Sequence, residues 1–420
     1  MFADPRVLNV TCTLYSAPIF SACALASKAI PALLFMSTPP VSGFFRGAVH
    51  DLRVRPRGNV PALDVLRSLA ILLVFTAHYG AAFQGLPSVL ALPMFNWGWT
   101  GVDLFFVLSG FLIGGQLWKE VKRTNGIKIG RFLLRRGLRI WPLYYAFVAF
   151  VAFEGLFGRN LSGLWSDICF LSNDFHNQIG GGWSLSTEEQ FYVLAPVSIA
   201  LFSRIIKPTR LWILPVVGMF FVVMNRAIAI QYVEPRLPHL PFDLYKAMYA
   251  HSDGLAIGGL LAWFSVFRPE VIRSTRLRVA ACSAMVVAAI GLHFVEKEVF
   301  AFTALALIFG AATLWGLGME RTPKLLNWHG FYIISRLSYG MYLNHFGLLE
   351  RSSSLLLGWR VTGGEAGFWI LYVMNLLASI AIAFVTFQLI EWPFLQLRAR
   401  WLASKKQPQM EAASPVIAAP

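Results

Sequence analysis

Runs of about twenty apolar residues recur along this chain, separated by short polar breaks. A helix rises 1.5 Å per residue, so about 20 such residues cross a hydrocarbon core of roughly 30 Å. Runs of this kind fall at about 61–80, 98–118, 140–157, 184–203, 211–231, 246–267, 279–296, 299–319, 337–357 and 367–392. The pattern predicts an all-α polytopic integral membrane protein. About ten transmembrane helices are expected over residues 60–400, forming one bundle with a central cavity or pore.

The flanking segments read differently. Residues 7–45 are apolar but broken by Pro18, Lys28, Pro31, Pro39 and Pro40. No charged start followed by a compact apolar stretch and a cleavage site marks a signal peptide. Residues 1–59 are therefore expected to be a poorly ordered leader, or the product of a start codon placed ahead of the true one, with Met36 a candidate. Residues 401–420, rich in Ala, Pro, Ser and Gln, are expected to be a disordered cytoplasmic tail.

Composition agrees with the membrane reading. Hydrophobic residues make up 57% of the 420 and charged ones 14%, against about 25% charged in soluble domains. The net charge of +15 need not imply nucleic acid, because a multispanning protein gathers Lys and Arg on its cytoplasmic loops. Loops 45–57, 119–139, 204–210, 268–278, 320–336 and 398–406 hold 26 of the 36 basic residues. The opposite loops hold only Arg159, Arg236, Lys297 and Arg360. Ten spans with both termini cytoplasmic satisfy this bias throughout. Cys12, Cys23, Cys169 and Cys282 have no metal-ligand spacing, and no metal site is expected.

Ionisable residues inside apolar runs are expensive and by default face the bundle interior. The first run reads RSLAILLVFTAH over residues 67–78. Eleven helical steps make three turns plus about 20°, so Arg67 and His78 share a face, roughly 16 Å apart along the axis. Asp64, three residues before Arg67, is within reach to pair with it. Each of these residues taken alone equally fits a structural role, as an interfacial ion pair or a helix-packing hydrogen bonder.

Asp103 lies in the next apolar run, at the depth of His78, and is a candidate to orient that imidazole. Arg135, Arg136 and Arg139 gather at the start of the third run, followed by Pro142, which suggests a kink there. Positive-inside anchoring explains such a row, and so does phosphate binding by guanidinium forks. In the segment GGGWSLSTEEQ (180–190), Ser184 or Ser186 can cap a helix with Glu188 or Glu189 in its first turn. Glu188 also fits the mouth of a cavity, as an acid able to pair with a histidine.

Taken in order, these motifs resemble the membrane-bound acyltransferase family 3, the O-acetyltransferases of glycans and related metabolites. The resemblance rests on Arg67-x10-His78, the run Gly101 to Phe111, Arg135-Arg136-x-x-Arg139-Ile140-x-Pro142 and Trp183-Ser184-Leu185-x-x-Glu188. Ser338-Tyr339-Gly340-x-Tyr342 with His345, and Glu391-x-Pro393, complete it. It implies an acyl-CoA donor, usually acetyl-CoA, used from the cytoplasmic side, with no permanently bound cofactor. The acceptor would be a glycan or lipid-linked sugar at the outer face of a bacterial inner membrane. Arg67 and His78 would be the core catalytic pair, with Asp103 or Glu188 orienting His78, and Arg135, Arg136 and Arg139 would bind the donor's phosphates.

The family's usual basic residue before the Asp253 motif is His251 here, preceded by Ala250. A fused soluble domain, present in some relatives, is not expected. Membrane lipids are expected neighbours, nucleic acid is not, and a homo-oligomer is left open. A multispanning transporter of a small anionic or acylated solute is the alternative, since buried Arg, His and Asp also line solute pathways.

Overall fold

The computed structural model describes residues 41–56, 58–83, 91–233, 243–319, 323–355 and 364–404. Those residues are helical or in turns, with no strand among them. Each predicted run overlaps a helix, though the first seven residues of the run at 246–267 form turns ahead of the helix that starts at Asp253. Six helices are long and apolar enough to cross a membrane: Pro61–Ala82, Gly98–Thr124, Pro208–Val233, Thr275–Val295, Lys297–Leu317 and Gly364–Leu402. With six such helices the chain is a multi-pass membrane protein. The remaining runs lie in Ile129–Gly155, Gly182–Phe202, Asp253–Phe267 and His329–Leu355. Three of these carry ionisable side chains inside their apolar stretch, and Asp253–Phe267 has 15 residues.

A short helix, α1 (Val41–Arg53), precedes the first long one. Asp51 on it pairs with Arg336, and the Tyr332 hydroxyl donates to the backbone oxygens of Asp51 and Val54. Residues 1–40 of the expected leader and residues 405–420 of the expected tail lie outside the described residues. Helix α2 (Pro61–Ala82) opens with Pro at its first position, where a missing N–H costs nothing. Asp64, Ser68, Ile71, Phe75 and Tyr79 repeat at helical spacing and form its buried face.

The most deeply packed element is α3 (Gly101–Thr124), which ends at Asn125 in the left-handed conformation. Against it lies α8 (Asp253–Phe267), and glycines make the approach possible. A Cβ on Gly110 would stand 2.2 Å from the Leu255 carbonyl oxygen, and one on Gly258 would stand 2.1 Å from that of Val107. Backbones this close leave no room for a side chain, as small-residue helix pairs in membranes require.

The basic stretch read as a loop over 119–139 is mostly helix. Helix α3 runs to Thr124 and α4 (Ile129–Gly155) begins after four intervening residues, so the arginines occupy its first three turns. Long cationic side chains let a helix extend past the apolar layer while their heads stay hydrated. Pro142 sits inside α4 without ending it.

Helix α6 (Gly182–Phe202) starts one residue after Gly181, whose φ of 76° is readily available only to glycine. Ser184 and Ser186 therefore lie within the helix instead of capping it, and their hydroxyls are free for tertiary contacts. The bundle is completed by α7 (Ile213–Ile228), α9 (Thr275–Val295), α10 (Lys297–Leu317), α11 (His329–Leu355) and α12 (Gly364–Thr386). A π-helical turn, Phe387–Glu391, joins α12 to α13 (Trp392–Ser404). Phe220, Val287 and Phe294 point outward from α7 and α9, the faces a lipid phase would cover.

Candidate functional site

Helices α2 and α11 each carry an arginine near one end and a histidine near the other. Arg67 precedes His78 by eleven residues, and Arg336 precedes His345 by nine. The two arginines line one cavity and the two histidines touch, so the helices run in the same direction with their functional ends aligned. This gives two centres, an arginine-lined cavity at the basic end and an imidazole pair farther along.

The cavity has a volume of about 90 Å³. Arg67, Arg136, Arg139 and Arg336 contribute cationic walls, against Glu188 as the acid in its lining. Helix α4 supplies two of the arginines because positions 136 and 139 fall on one helical face. Arg136 donates to the Tyr192 hydroxyl at 2.9 Å and stacks over that ring, 4.5 Å from its centroid. Arg67 and Arg139 line the cavity, and among the described residues neither guanidinium has a hydrogen-bond partner, so their N–H groups remain available to a ligand. Glu391, held in the π-helical turn, adds a carboxylate facing Arg139 and Arg336. Turns of this kind inside helices recur at functional sites.

Glu188 accepts from Ser109 at 2.7 Å and from Tyr192 at 2.5 Å. Its carboxylate is thereby held as a counter-charge within the cavity and meets no histidine. Arg135 turns away, donating to Gln116 at 2.9 Å, and does not line the cavity. Asp64 accepts from Asn59 at 2.7 Å instead of pairing with Arg67. Ser184 and Tyr342 also line the cavity; their hydroxyls are 2.5 Å apart, and Tyr342 also donates to the Gly181 carbonyl.

One turn beyond Tyr342 lies His345, fully buried, with Nε2 3.0 Å from His78 Nδ1. His78 is half-buried. Phe346 packs against both rings, at centroid distances of 4.2 Å and 4.6 Å. Gly180 lies against Phe346; a Cβ there would come within 2.4 Å of the ring. The glycine run before α6 thus lets the loop press onto the clamp around the histidines.

Asp103 does not orient His78. Its carboxylate meets His251 Nε2 at 2.8 Å, while His251 Nδ1 donates to the Tyr245 carbonyl. Asp103 sits in the first turn of α3 on the face packed against the start of α8, where His251 precedes the helix. The guanidinium partner for Asp253 comes from Arg226 on α7, with donor distances of 2.9 Å and 3.1 Å. Arg226 also donates to the Val299 and Ala250 carbonyls and to Thr303. Thr303 in turn donates to Asp253, so six hydrogen bonds hold this buried ion pair.

Outside the apolar layer, Asp167 is buried in the 158–183 segment and accepts from the backbone N–H groups of Gln178 and Ile179. Burial pushes its carboxyl up to about 6, against those two bonds, which favour the ionised form. A larger cleft of about 410 Å³ lies on the other face of α6, lined mainly by apolar residues such as Leu117, Phe191 and Leu214. Among the described residues no group of His, Cys, Asp and Glu could hold a metal ion.

The profile of the Acyltransferase domain family matches residues 60–388. Among curated proteins, the chain is similar to the peptidoglycan O-acetyltransferase OatA of Listeria monocytogenes, 26% identical over 374 residues, covering 80% of this chain and 56% of that one. It is likewise similar to the O-acetyltransferase OatA of Staphylococcus aureus, 24% identical over 366 residues, covering 80% and 57%. The chain spans about half the length of the curated relatives it matches. No solved structure matches.

Proposed function

Because this chain belongs to the acyltransferase domain family, we propose that it moves an acyl group, acetyl first among candidates, from acyl-CoA to a hydroxyl of a cell-envelope glycan. The donor is used at the basic end, in the cytoplasm, and the acceptor is met at the far side of a bacterial inner membrane. Ten spans with cytoplasmic termini and a passage through the bundle complete the topology. The observation that carries this reading is the convergence of Arg67, Arg136, Arg139 and Arg336 on one cavity whose wall includes Tyr342, one helical turn from the His345–His78 pair.

A guanidinium fork binds phosphate oxygens bidentately, and four of them against one glutamate leave a net positive site. The donor's phosphates would then sit at the arginines.

The acceptor hydroxyl is a weak nucleophile and needs a base within hydrogen-bond reach. His78, half-buried and away from any carboxylate, serves as that base. The hydroxyl oxygen bonds to the acyl carbon, the carbon–sulfur bond breaks, and the proton taken by His78 ends on the departing thiolate. The products are an O-acyl ester and free CoA.

Base-labile acetate in envelope glycans of a deletion strain tests the proposal. Acetate should be missing in the deletion, restored by the wild-type chain and not by His78→Ala present at equal membrane level. Unchanged acetate in the deletion strain would sink it. No observation favours the transporter alternative.

A further inference from the structure

We propose that His345 is a positioning residue that locks His78 in one tautomer, with Nδ1 protonated and Nε2 free to take the acceptor's proton. The inference rests on the reading of His78 as the base and assigns which of its nitrogens does the work.

A backbone carbonyl can only accept a hydrogen bond. The Tyr342 carbonyl lies 2.7 Å from His345 Nδ1, so that nitrogen must carry a proton. His345 is fully buried, no acid touches it, and an uncompensated charge there would be costly, so the ring is neutral. A neutral imidazole that donates through one nitrogen accepts through the other. His345 Nε2 is therefore an acceptor, and at 3.0 Å it faces His78 Nδ1, which must donate. The direction of both hydrogen bonds follows from a single carbonyl.

His78 is then left with Nε2 unprotonated, on the half-buried ring of the pair. The tilt between the rings, 38° at a centroid separation of 5.0 Å, is held by Phe346 packing on both. Histidine bases in enzymes are commonly oriented by a carboxylate or carbonyl on the far nitrogen. Here a second imidazole shares that place with the Val74 carbonyl one turn back on α2, and relays the orientation of the α11 backbone across to α2. When His78 accepts the acceptor's proton at Nε2, its Nδ1–H bond to a neutral acceptor strengthens without burying a second charge. A carboxylate would hold the proton more tightly and return it to the leaving thiolate less readily.

The test uses the full chain in proteoliposomes with ¹⁵N-labelled histidine and the variants His345→Phe, His345→Gln and His78→Ala. The signals lost in His78→Ala identify the His78 nitrogens. Wild type should show a protonated Nδ1 and an unprotonated Nε2. His345→Phe, which keeps ring volume but offers no acceptor, should lose that bias; the Gln side-chain oxygen should restore it. In acetyl transfer from acetyl-CoA to peptidoglycan fragments, His345→Phe should lower kcat about 100-fold. KM for acetyl-CoA should stay within about twofold, since the arginine cavity is untouched, and Gln should recover at least tenfold. Wild-type His78 protonated at Nε2 would overturn the proposal, and so would a Phe variant with unchanged kcat. Full transfer by His78→Ala instead removes the base reading itself, and the relay falls with it.

Discussion

Replacing Arg139 with Ala should weaken donor binding while leaving the empty protein at least as stable. In the free protein its guanidinium is crowded by Arg67, Arg136, Arg336 and Arg398, with Glu391 as the acid it faces. Removing one of five like charges relieves repulsion. A hydrogen bond to a charged group contributes about 1.5–3 kcal/mol, which at 1.4 kcal/mol per decade is roughly a 10- to 150-fold loss of affinity for a phosphate ligand. Arg139→Lys keeps the charge without the fork and should fall between.

Ligand-induced stabilisation in thermal unfolding reads this directly. At a donor concentration 100 times the wild-type Kd, the wild type gains about 2.7 kcal/mol. A variant weakened 100-fold gains about 0.4 kcal/mol at the same concentration. S-acetylpantetheine, which has the thioester arm and no phosphate, supplies the control, because its binding should be the same in wild type and variant. If the variant lost both ligands equally, or neither, the arginines would not be a phosphate site and the orientation of the donor would have to be abandoned.

Three further predictions follow from the packing. Arg226→Met should cost about 3–5 kcal/mol by stranding the Asp253 charge, and most of that should return in Arg226→Met/Asp253→Leu, as measured by thermal unfolding in one detergent. Gly258→Ala should destabilise by at least 1–3 kcal/mol, since its Cβ would meet the Val107 carbonyl and the Phe111 amide, neither able to yield; Gly115→Ala, with open space around it, should be neutral or slightly stabilising. Because the Asp167 carboxyl sits at about 6 when folded and near 3.8 otherwise, the folded chain binds more protons between those values. Stability should therefore be fully present below about pH 4 and fall as pH rises through 6, with a shallower fall in Asp167→Asn; an identical pH profile for the two would refute the assignment.

Much of the architecture was legible as hydrophobic run length, because a lipid-exposed segment must satisfy its backbone internally and so must be helix. The predicted runs all overlap helices, and Arg67, Arg136, Arg139 and Glu188, singled out by their motifs, line one cavity. Partnerships between helices were not legible. Asp103 was expected beside His78 because the two lie at similar depth, but rotation about the helix axis, which depth does not reveal, turns it to His251. Arg226 is 27 residues from Asp253 and on another helix, so local spacing could not join them. Arg336 looked like loop charge because it stands at the end of an apolar run, yet it begins the cavity face of α11. The His345–His78 contact had a trace in the sequence, an arginine nine residues before the second histidine to match the eleven before the first. Reading it required knowing that α2 and α11 run parallel.

If one chain carries an acyl group from a donor at the arginine cavity to a hydroxyl beyond His78, acetyl label must cross the membrane with the protein alone. Purified protein in proteoliposomes, given radiolabelled acetyl-CoA on one side with peptidoglycan oligosaccharides trapped on the other, tests it most directly. Wild type should place base-labile label on the trapped glycan, and His78→Ala and Arg67→Ala should not. Label that never leaves the donor side, or that crosses equally well in the His78 variant, would contradict the account.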